Sequence, residues 1–123
     1  MPSRAGLLAA LFATVALSGC GHPATAPVKG RVTCDGTPVA EVTVTFNPLP
    51  RSEGDREPGK PATGFTDADG VFILSTFKNY DGALIGKHKV TLTPSNPTSC
   101  GRHREVELEV KPGDNDFTIE LNP

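Results

Sequence analysis

The sequence predicts an all-β domain, a seven-stranded antiparallel sandwich of two sheets, following a cleaved N-terminal signal helix. Three observations support this prediction. Apolar residues alternate with polar ones in several short segments. Glycine (13) and proline (12) are abundant and tryptophan is absent, which favours turns and short strands over helices. Turn sequences recur roughly every 8–15 residues.

The first 19 residues have the parts of an export signal. Arg4 supplies a positive charge, and residues 5–17 form an uncharged, mostly apolar run of 13 residues. Spanning a bilayer takes about 20 apolar residues, so this run is too short to span but suits a cleavable signal. The segment that follows, Leu17-Ser18-Gly19-Cys20, resembles the bacterial lipobox at all four positions.

The lipobox resemblance implies that Cys20 is lipidated. The signal would be cut before Cys20, the sulfur would receive diacylglycerol, and the new N-terminus would be acylated, for example with palmitate. Each buried CH₂ contributes about 0.8 kcal/mol, so two or three chains hold firmly. The protein would then be exported and anchored to the inner or outer membrane of a bacterial cell envelope. In enterobacterial lipoproteins an aspartate after the lipidated cysteine favours retention in the inner membrane, so Gly21 permits the outer one. The alternative is an ordinary signal peptide with a chance cysteine.

The mature chain would be one small domain. Removing residues 1–19 leaves 104 residues with 11 basic and 14 acidic side chains. This balance gives no reason to expect nucleic-acid binding. Residues 20–27 read as a semi-extended tether of small residues and prolines, and residues 28–123 as the sandwich.

Two cysteines remain after lipidation, Cys34 and Cys100. In an exported protein an even pair is usually a disulfide. The bridge would close a loop of about 67 residues, which contributes about 4 kcal/mol in the chain-entropy picture. Two separate buried thiols are the alternative.

The first four predicted strands lie between residues 28 and 76. "VKGRVTC" (28–34) and "EVTVTF" (41–46) alternate strictly, and "TGFTDADGVFILST" (63–76) reads as a hairpin. Residues 71–74 are apolar at every position, which predicts a central strand covered on both faces. Residues 47–62, with four prolines and no aromatic residue, are expected to form a long mobile loop rather than a functional one.

The last three predicted strands are "HKVTLT" (88–93), "REVELEV" (104–110) and "DFTIEL" (116–121). Between the hairpin and these strands, residues 77–87 form a loop holding the only tyrosine. Aromatic residues in an exposed loop favour binding, so this loop is the predicted contact surface. Burial under the sheet edge is the alternative. The predicted contact residues are Phe77, Tyr80, Leu84 and Ile85.

Candidate metal and catalytic residues have simpler structural explanations. Asp67 and Asp69 fail the EF-hand spacing, and "DADG" suits a turn. His88 has apolar neighbours and predicts a packed histidine. Cys100 and His103 could supply two zinc ligands, but a structural site needs four. Glutamates 105, 107 and 109 form an acidic stripe, either a solvated face that discourages edge pairing or a cation-facing patch. No metal, cofactor or catalytic residue is therefore predicted.

Three stretches together resemble carboxypeptidase-regulatory-like domains: "VKGRVTCDGTPVAEVTVTF", "TGFTDADGVFIL" and "GKHKVTL". They cover about residues 28–93. The resemblance implies a transthyretin-like (prealbumin-like) Greek-key sandwich of seven strands and a non-catalytic module. These motifs consist mostly of turns and core positions, which specify fold better than ligand.

The expected function is a non-catalytic, lipid-anchored envelope module that is structural or docks to an envelope protein or a glycan. One alternative is a transthyretin-like hydrolase of the hydroxyisourate-hydrolase type, which needs histidine, arginine and serine or tyrosine converging in a pocket. His88 beside Arg102 or Arg104 in a cleft would favour it. Another alternative is an accessory subunit of an envelope complex.

Overall fold

The computed structural model describes residues 24–96, 100 and 103–121 of the 123-residue chain. The predicted signal segment and Cys20 lie outside these residues. The described residues contain no helix, so none of them forms a helix that could cross a membrane. They form ten strands: β1 Thr25–Ala26, β2 Val28–Cys34, β3 Thr37–Pro38, β4 Val42–Pro48, β5 Ala62–Phe65, β6 Val71–Ile73, β7 Ala83–Leu84, β8 Gly86–Pro94, β9 Arg104–Val110 and β10 Asn115–Glu120.

Two four-stranded sheets make up most of the fold. One has the order β5-β4-β8-β9, and each of its pairings is antiparallel. The other has the order β10-β2-β3, with β6 also pairing with β2. A two-stranded sheet, β1-β7, joins the start of the described chain to the segment before β8. The all-β sandwich prediction is confirmed.

The core lies between the inner faces of the two larger sheets. Alternation along β4 buries Val42, Val44 and Phe46 and leaves the threonines between them partly exposed. The Phe46 ring lies 6.5 Å from the Phe72 ring and 5.9 Å from the Phe117 ring, both from the opposite sheet. Each such side chain contributes about 1.5–3 kcal/mol when fully buried, so contacts across the two sheets hold the sandwich together.

The predicted strand count and the all-antiparallel pairing need correction. The seven predicted segments each coincide with a strand, but β1, β3 and β7 add three two-residue pairings, which are too short to show a period. In addition, β10 runs parallel to β2 from Asn115 opposite Val28 to Glu120 opposite Thr33. The turn after β9 carries the chain to the other sheet, where β10 lies beside β2 in the same direction. The Greek-key order stays a prediction.

Strand β6 is not the central, doubly covered strand that its sequence predicts. It pairs with β2 on one side, and on the other side Ser75, two residues after β6, forms an isolated bridge with Thr63 of β5. Phe72 is buried whereas Ile73 is exposed. The reason is that none of the described elements covers the outer face of this hairpin, so a run of apolar residues does not imply burial on both sides.

A disulfide joins Cys34, at the end of β2, to Cys100, which precedes β9. The two Cα atoms are 5.9 Å apart, a distance within the range of ordinary disulfides. The two residues lie 66 positions apart in the chain. The bridge therefore links the β2 sheet to the segment that leads into the other sheet.

Candidate functional site

The hairpin of β5 and β6 is built by the turn "DADG". The Asp67 carboxylate accepts the backbone N–H groups of Asp69 at 2.8 Å and of Val71 at 3.0 Å. Gly70 takes the positive φ of 75° that closes the turn. The turn interpretation is confirmed, because the Asp67 carboxylate holds the turn through these two hydrogen bonds.

The outer face of this hairpin is apolar. In β5 and β6 alternation buries Ala62, Gly64 and Phe72 and turns Phe65 and Ile73 outward. Phe65 is 68% exposed and Ile73 is 42% exposed. Tyr80 from the following loop is 70% exposed and lines the same groove as Phe65 and Ile73. These three residues, Phe65, Ile73 and Tyr80, form what we name the apolar patch.

The loop that presents Tyr80 is held by one carboxylate. Asp81 accepts the backbone N–H of Thr76 at 2.7 Å, of Phe77 at 3.0 Å and of Lys78 at 3.1 Å. Desolvation raises the pKa of Asp81, but these N–H donors outweigh it, so the pKa lies below its ordinary value. The Tyr80 backbone N–H also donates to the Ser75 hydroxyl at 2.7 Å. Tyr80 is therefore fixed in position although it is exposed.

Two shallow grooves meet at the apolar patch. One, of about 460 Å³, lies along the β5–β6 hairpin and contacts all three patch residues. The other, of about 330 Å³, shares Ile73 and Tyr80 and is bordered by Pro27, which joins β1 to β2. The apolar patch therefore lies beside the junction of β1 and β2.

The rim of the two grooves is mostly acidic. Asp67 lines the first groove, and Asp114 and Asp116 line the second. Lys29 also lines the second groove. With three carboxylates to one ammonium group among the lining residues, the rim favours cationic or neutral partners over anionic ones.

The four predicted contact residues do not form one surface. Leu84 is only 2% exposed, because β7 packs it into the interior beside β1, so for this residue the structure shows the burial that the sequence left open as the alternative. Ile85 is partly buried against the core. Phe77 is partly buried, and the Lys60 ammonium group lies 5.5 Å from its ring centroid. Only Tyr80 of this set lies in the apolar patch.

Phe65 and Ile73 were not predicted as contact residues. Phe65 follows buried Gly64 in β5, and Ile73 follows buried Phe72 in β6. Because side chains alternate between the two faces of a strand, both residues point outward. The signal was therefore present in the alternation. It was hidden for Ile73 because its neighbours in the run 71–74 are also apolar.

His88 is a packed core histidine. Its side chain is 1% exposed, its ring Nε2 lies 2.7 Å from the Leu84 carbonyl oxygen, and its ring centroid lies 5.5 Å from that of Phe46. Arg104 is not beside it: His88 lies opposite Leu108 and Arg104 opposite Leu92 in the β8–β9 register. Arg102 lies outside the described residues. The described residues therefore do not form the His88–Arg104 cleft that the hydrolase alternative requires.

The cysteines do not provide metal ligands in this structure. Cys34, Asp35 and Cys100 lie close together, but both sulfurs are in the disulfide and a thiolate is the form that binds zinc. His103 instead has its Nε2 3.6 Å from a Glu105 carboxylate oxygen.

The acidic stripe on β9 is balanced by its neighbour strand. Lys87 lies opposite Glu109 and Lys89 lies opposite Glu107 in the β8–β9 register. Opposite charges in register stabilise a sheet modestly. We name these four residues the charge-paired face, and this arrangement favours the solvated-face interpretation over a cation-binding patch.

Comparison with known proteins bears on the fold. The chain is similar to a DUF3823 family protein from Parabacteroides merdae. The TM-score is 0.55 at 18% sequence identity over 83% of this chain. The match covers 48% of that protein, so the chain spans about half its length. No protein-family model and no curated protein matches this chain. The resemblance to carboxypeptidase-regulatory-like domains stays a prediction.

Proposed function

We propose that the protein is a non-catalytic, lipid-anchored β-sandwich of a bacterial cell envelope that docks through its apolar patch. The main observation that supports this proposal is the arrangement of the three cysteines. Cys34 and Cys100 are joined to each other, which leaves Cys20 as the remaining cysteine, at the end of a signal-like apolar run.

The cysteine pairing supports export and a separate role for Cys20. Structural disulfides form and persist in oxidising compartments such as the periplasm and cell surface. The Leu17-Ser18-Gly19-Cys20 segment places the third thiol at the point where a lipoprotein signal is cut. The lipid chains would hold the domain at the membrane through residues 21–24, because β1 (Thr25–Ala26) already pairs with β7.

The lining of the two grooves supports docking rather than catalysis. Nucleophilic catalysis needs a nucleophile next to a base that a third group orients. Within the described residues, the grooves at the apolar patch are lined by no histidine or cysteine. The Ser75 hydroxyl that lines one of them accepts the Tyr80 N–H at 2.7 Å. Exposed aromatic side chains with a polar rim are typical of contact surfaces.

The anchor is tested on the full-length protein produced in a bacterial host. Mass spectrometry of the purified protein should find Cys20 at the N-terminus, carrying diacylglycerol and an acyl chain. A Cys20→Ser variant should leave the membrane fraction. The matched control, Cys34→Ser with Cys100→Ser, should stay in it, because those sulfurs carry no lipid. An unacylated Cys20, or a Cys20→Ser variant that remains with the membrane, would contradict the proposal.

A further inference from the structure

We propose that the apolar patch binds a short, extended, basic segment of another envelope protein. The proposal rests on the proposed function, in which the patch is the docking surface, and it adds the chemistry of the partner. Apolar side chains of the segment would lie on the patch, and its lysine or arginine side chains would reach the acidic rim of the two grooves.

The acidic rim carries carboxylates that the protein does not neutralise. Within the described part of the chain, Asp114 and Asp116 form no ion pair. Both hydrogen bonds to Asp67 end on its Oδ1, so its Oδ2 is left for a further donor. Lys29 is the one basic residue among the lining residues. A basic partner would neutralise this rim, whereas a second copy of this chain would bring further carboxylates to it.

The patch lies where β5, the outermost strand of one sheet, meets β6 of the other. Thr63 and Ser75 exchange two backbone hydrogen bonds, of 3.0 and 3.1 Å, and this bridge is isolated. Phe65, two residues after Thr63, is paired with Thr43 of β4 and with no residue of β6. The pairing of the two strands therefore ends beside the patch.

This interrupted pairing leaves a backbone donor for a peptide. Backbone groups alternate direction along an antiparallel strand, so the N–H of Phe65 points away from β4, as that of Thr63 does. Phe65 also lines the groove along the hairpin. A peptide carbonyl oxygen in the groove can accept this N–H, which a simple cation cannot do. The donor favours a peptide over a cation without a main chain.

The size and shape of the surface favour a short segment over a folded domain. Three side chains are far smaller than the roughly 800 Å² per partner of a standard protein interface. The grooves of about 460 and 330 Å³ share Ile73 and Tyr80, so one extended chain can follow both. The loop backbone at Tyr80 is already held by Ser75, so binding does not have to order it.

The chain contains its own reporter for this contact. It has one tyrosine and no tryptophan, so its intrinsic emission comes from Tyr80. The acylated full-length protein in phosphatidylcholine vesicles is titrated with acetyl-Lys-Ile-Lys-Phe-Lys-amide and with the same peptide carrying glutamate in place of lysine. The basic peptide should shield Tyr80 from acrylamide and bind at least about tenfold more tightly than the acidic one at low salt. Added salt should reduce this ratio.

Two controls separate the apolar contact from charge alone. Spermine, a polycation without apolar side chains or a main chain, should compete at least about tenfold more weakly than the basic peptide. Phe65→Ser with Ile73→Ser should abolish shielding by the basic peptide, and circular dichroism shows whether this variant is folded.

Matched charge variants test the rim. Asp114→Asn with Asp116→Asn should bring the affinities for the two peptides to within about threefold of each other. Glu107→Gln with Glu109→Gln makes the same charge change on the charge-paired face and should leave the ratio of about tenfold intact.

Four results would overturn the proposal. Absence of shielding at millimolar basic peptide means that the patch does not bind such a segment. Equal or tighter binding of the acidic peptide contradicts the basic partner and leaves the docking surface in place. Spermine that competes as strongly as the basic peptide means that charge alone is recognised. Shielding without peptide that grows with protein density means that a second copy covers the patch.

Failure of the anchor is a separate result. Protein that does not float with the vesicles contradicts the lipid anchor of the proposed function, and the same titration in buffer then tests the patch.

Discussion

The outer faces of the β5–β6 and β8–β9 hairpins belong to one sandwich and share the same alternation, yet they differ in chemistry. On β8 and β9 the outward positions carry lysines opposite glutamates. On β5 and β6 they carry Phe65 and Ile73, joined by Tyr80 from the next loop. Alternation determines which side chains face outward, and the residue types determine whether that face is solvated or available for contact.

Both faces depend on the stability of the same sandwich. Removing its disulfide should give the largest effect on that stability. Cys34→Ser with Cys100→Ser should lower the free energy of unfolding by about 4 kcal/mol, because the open loop restores entropy to the unfolded chain. Urea denaturation followed by circular dichroism measures this, and reduced wild-type protein should show the same loss. A loss below about 1 kcal/mol would mean that the bridge does not constrain the domain.

Two glycines with similar backbone conformations but different surroundings can be compared by substitution. Gly82, under the loop of the apolar patch, has a φ of 95°, and Gly113, in the turn after β9, has a φ of 91°. An added Cβ would meet the Ala26 backbone at Gly82 and nothing within 4 Å at Gly113.

Gly113→Ala should therefore cost about 1–2 kcal/mol from φ alone, and Gly82→Ala about 3 kcal/mol or more, since backbone must move. Thermal denaturation of both variants measures the difference. Equal losses would show that the junction of β1 and β2 does not pack tightly against the Tyr80 loop.

Asp81 tests whether the apolar patch is held in place. Asp81→Asn removes a carboxylate that accepts three backbone N–H groups and should cost about 1–2 kcal/mol at neutral pH. Because the folded-state pKa of Asp81 is lowered, its contribution is present above its ordinary pKa and is lost as pH falls through the folded value. The difference between wild type and variant should thus disappear in acid. A penalty that does not change with pH would contradict this role.

The charge-paired face should give the smallest effect. A double-mutant cycle of Lys89→Gln and Glu107→Gln should show a coupling of about 0.5 kcal/mol, since both side chains are exposed. The coupling should fall at high salt. Chemical denaturation at two salt concentrations measures it, and a salt-independent coupling above about 2 kcal/mol would mean that the pair is not solvated.

Much of the fold follows from local patterns. The period of two locates the seven longer segments, and "DADG" specifies its turn through Asp67 and Gly70. The parallel pairing of β10 with β2 depends on which sheet the chain enters after β9, and this is a tertiary choice that no local pattern encodes.

The candidate site was only partly predictable. Tyr80 stood out as an aromatic residue in a loop, whereas Leu84 in the same loop is buried by β1. Its burial depends on contact with a segment almost 60 positions away, which sequence alternation does not report. Phe65 and Ile73 could be placed on one face by parity, but that no other described element covers this face is a property of the assembled sandwich.

Mass spectrometry of the full-length protein purified from membranes tests the central claim most directly, because the anchor depends on one sulfur. The account predicts a chain that begins at Cys20 and carries diacylglycerol and an acyl chain on that residue. A chain whose Cys20 is unmodified would contradict it.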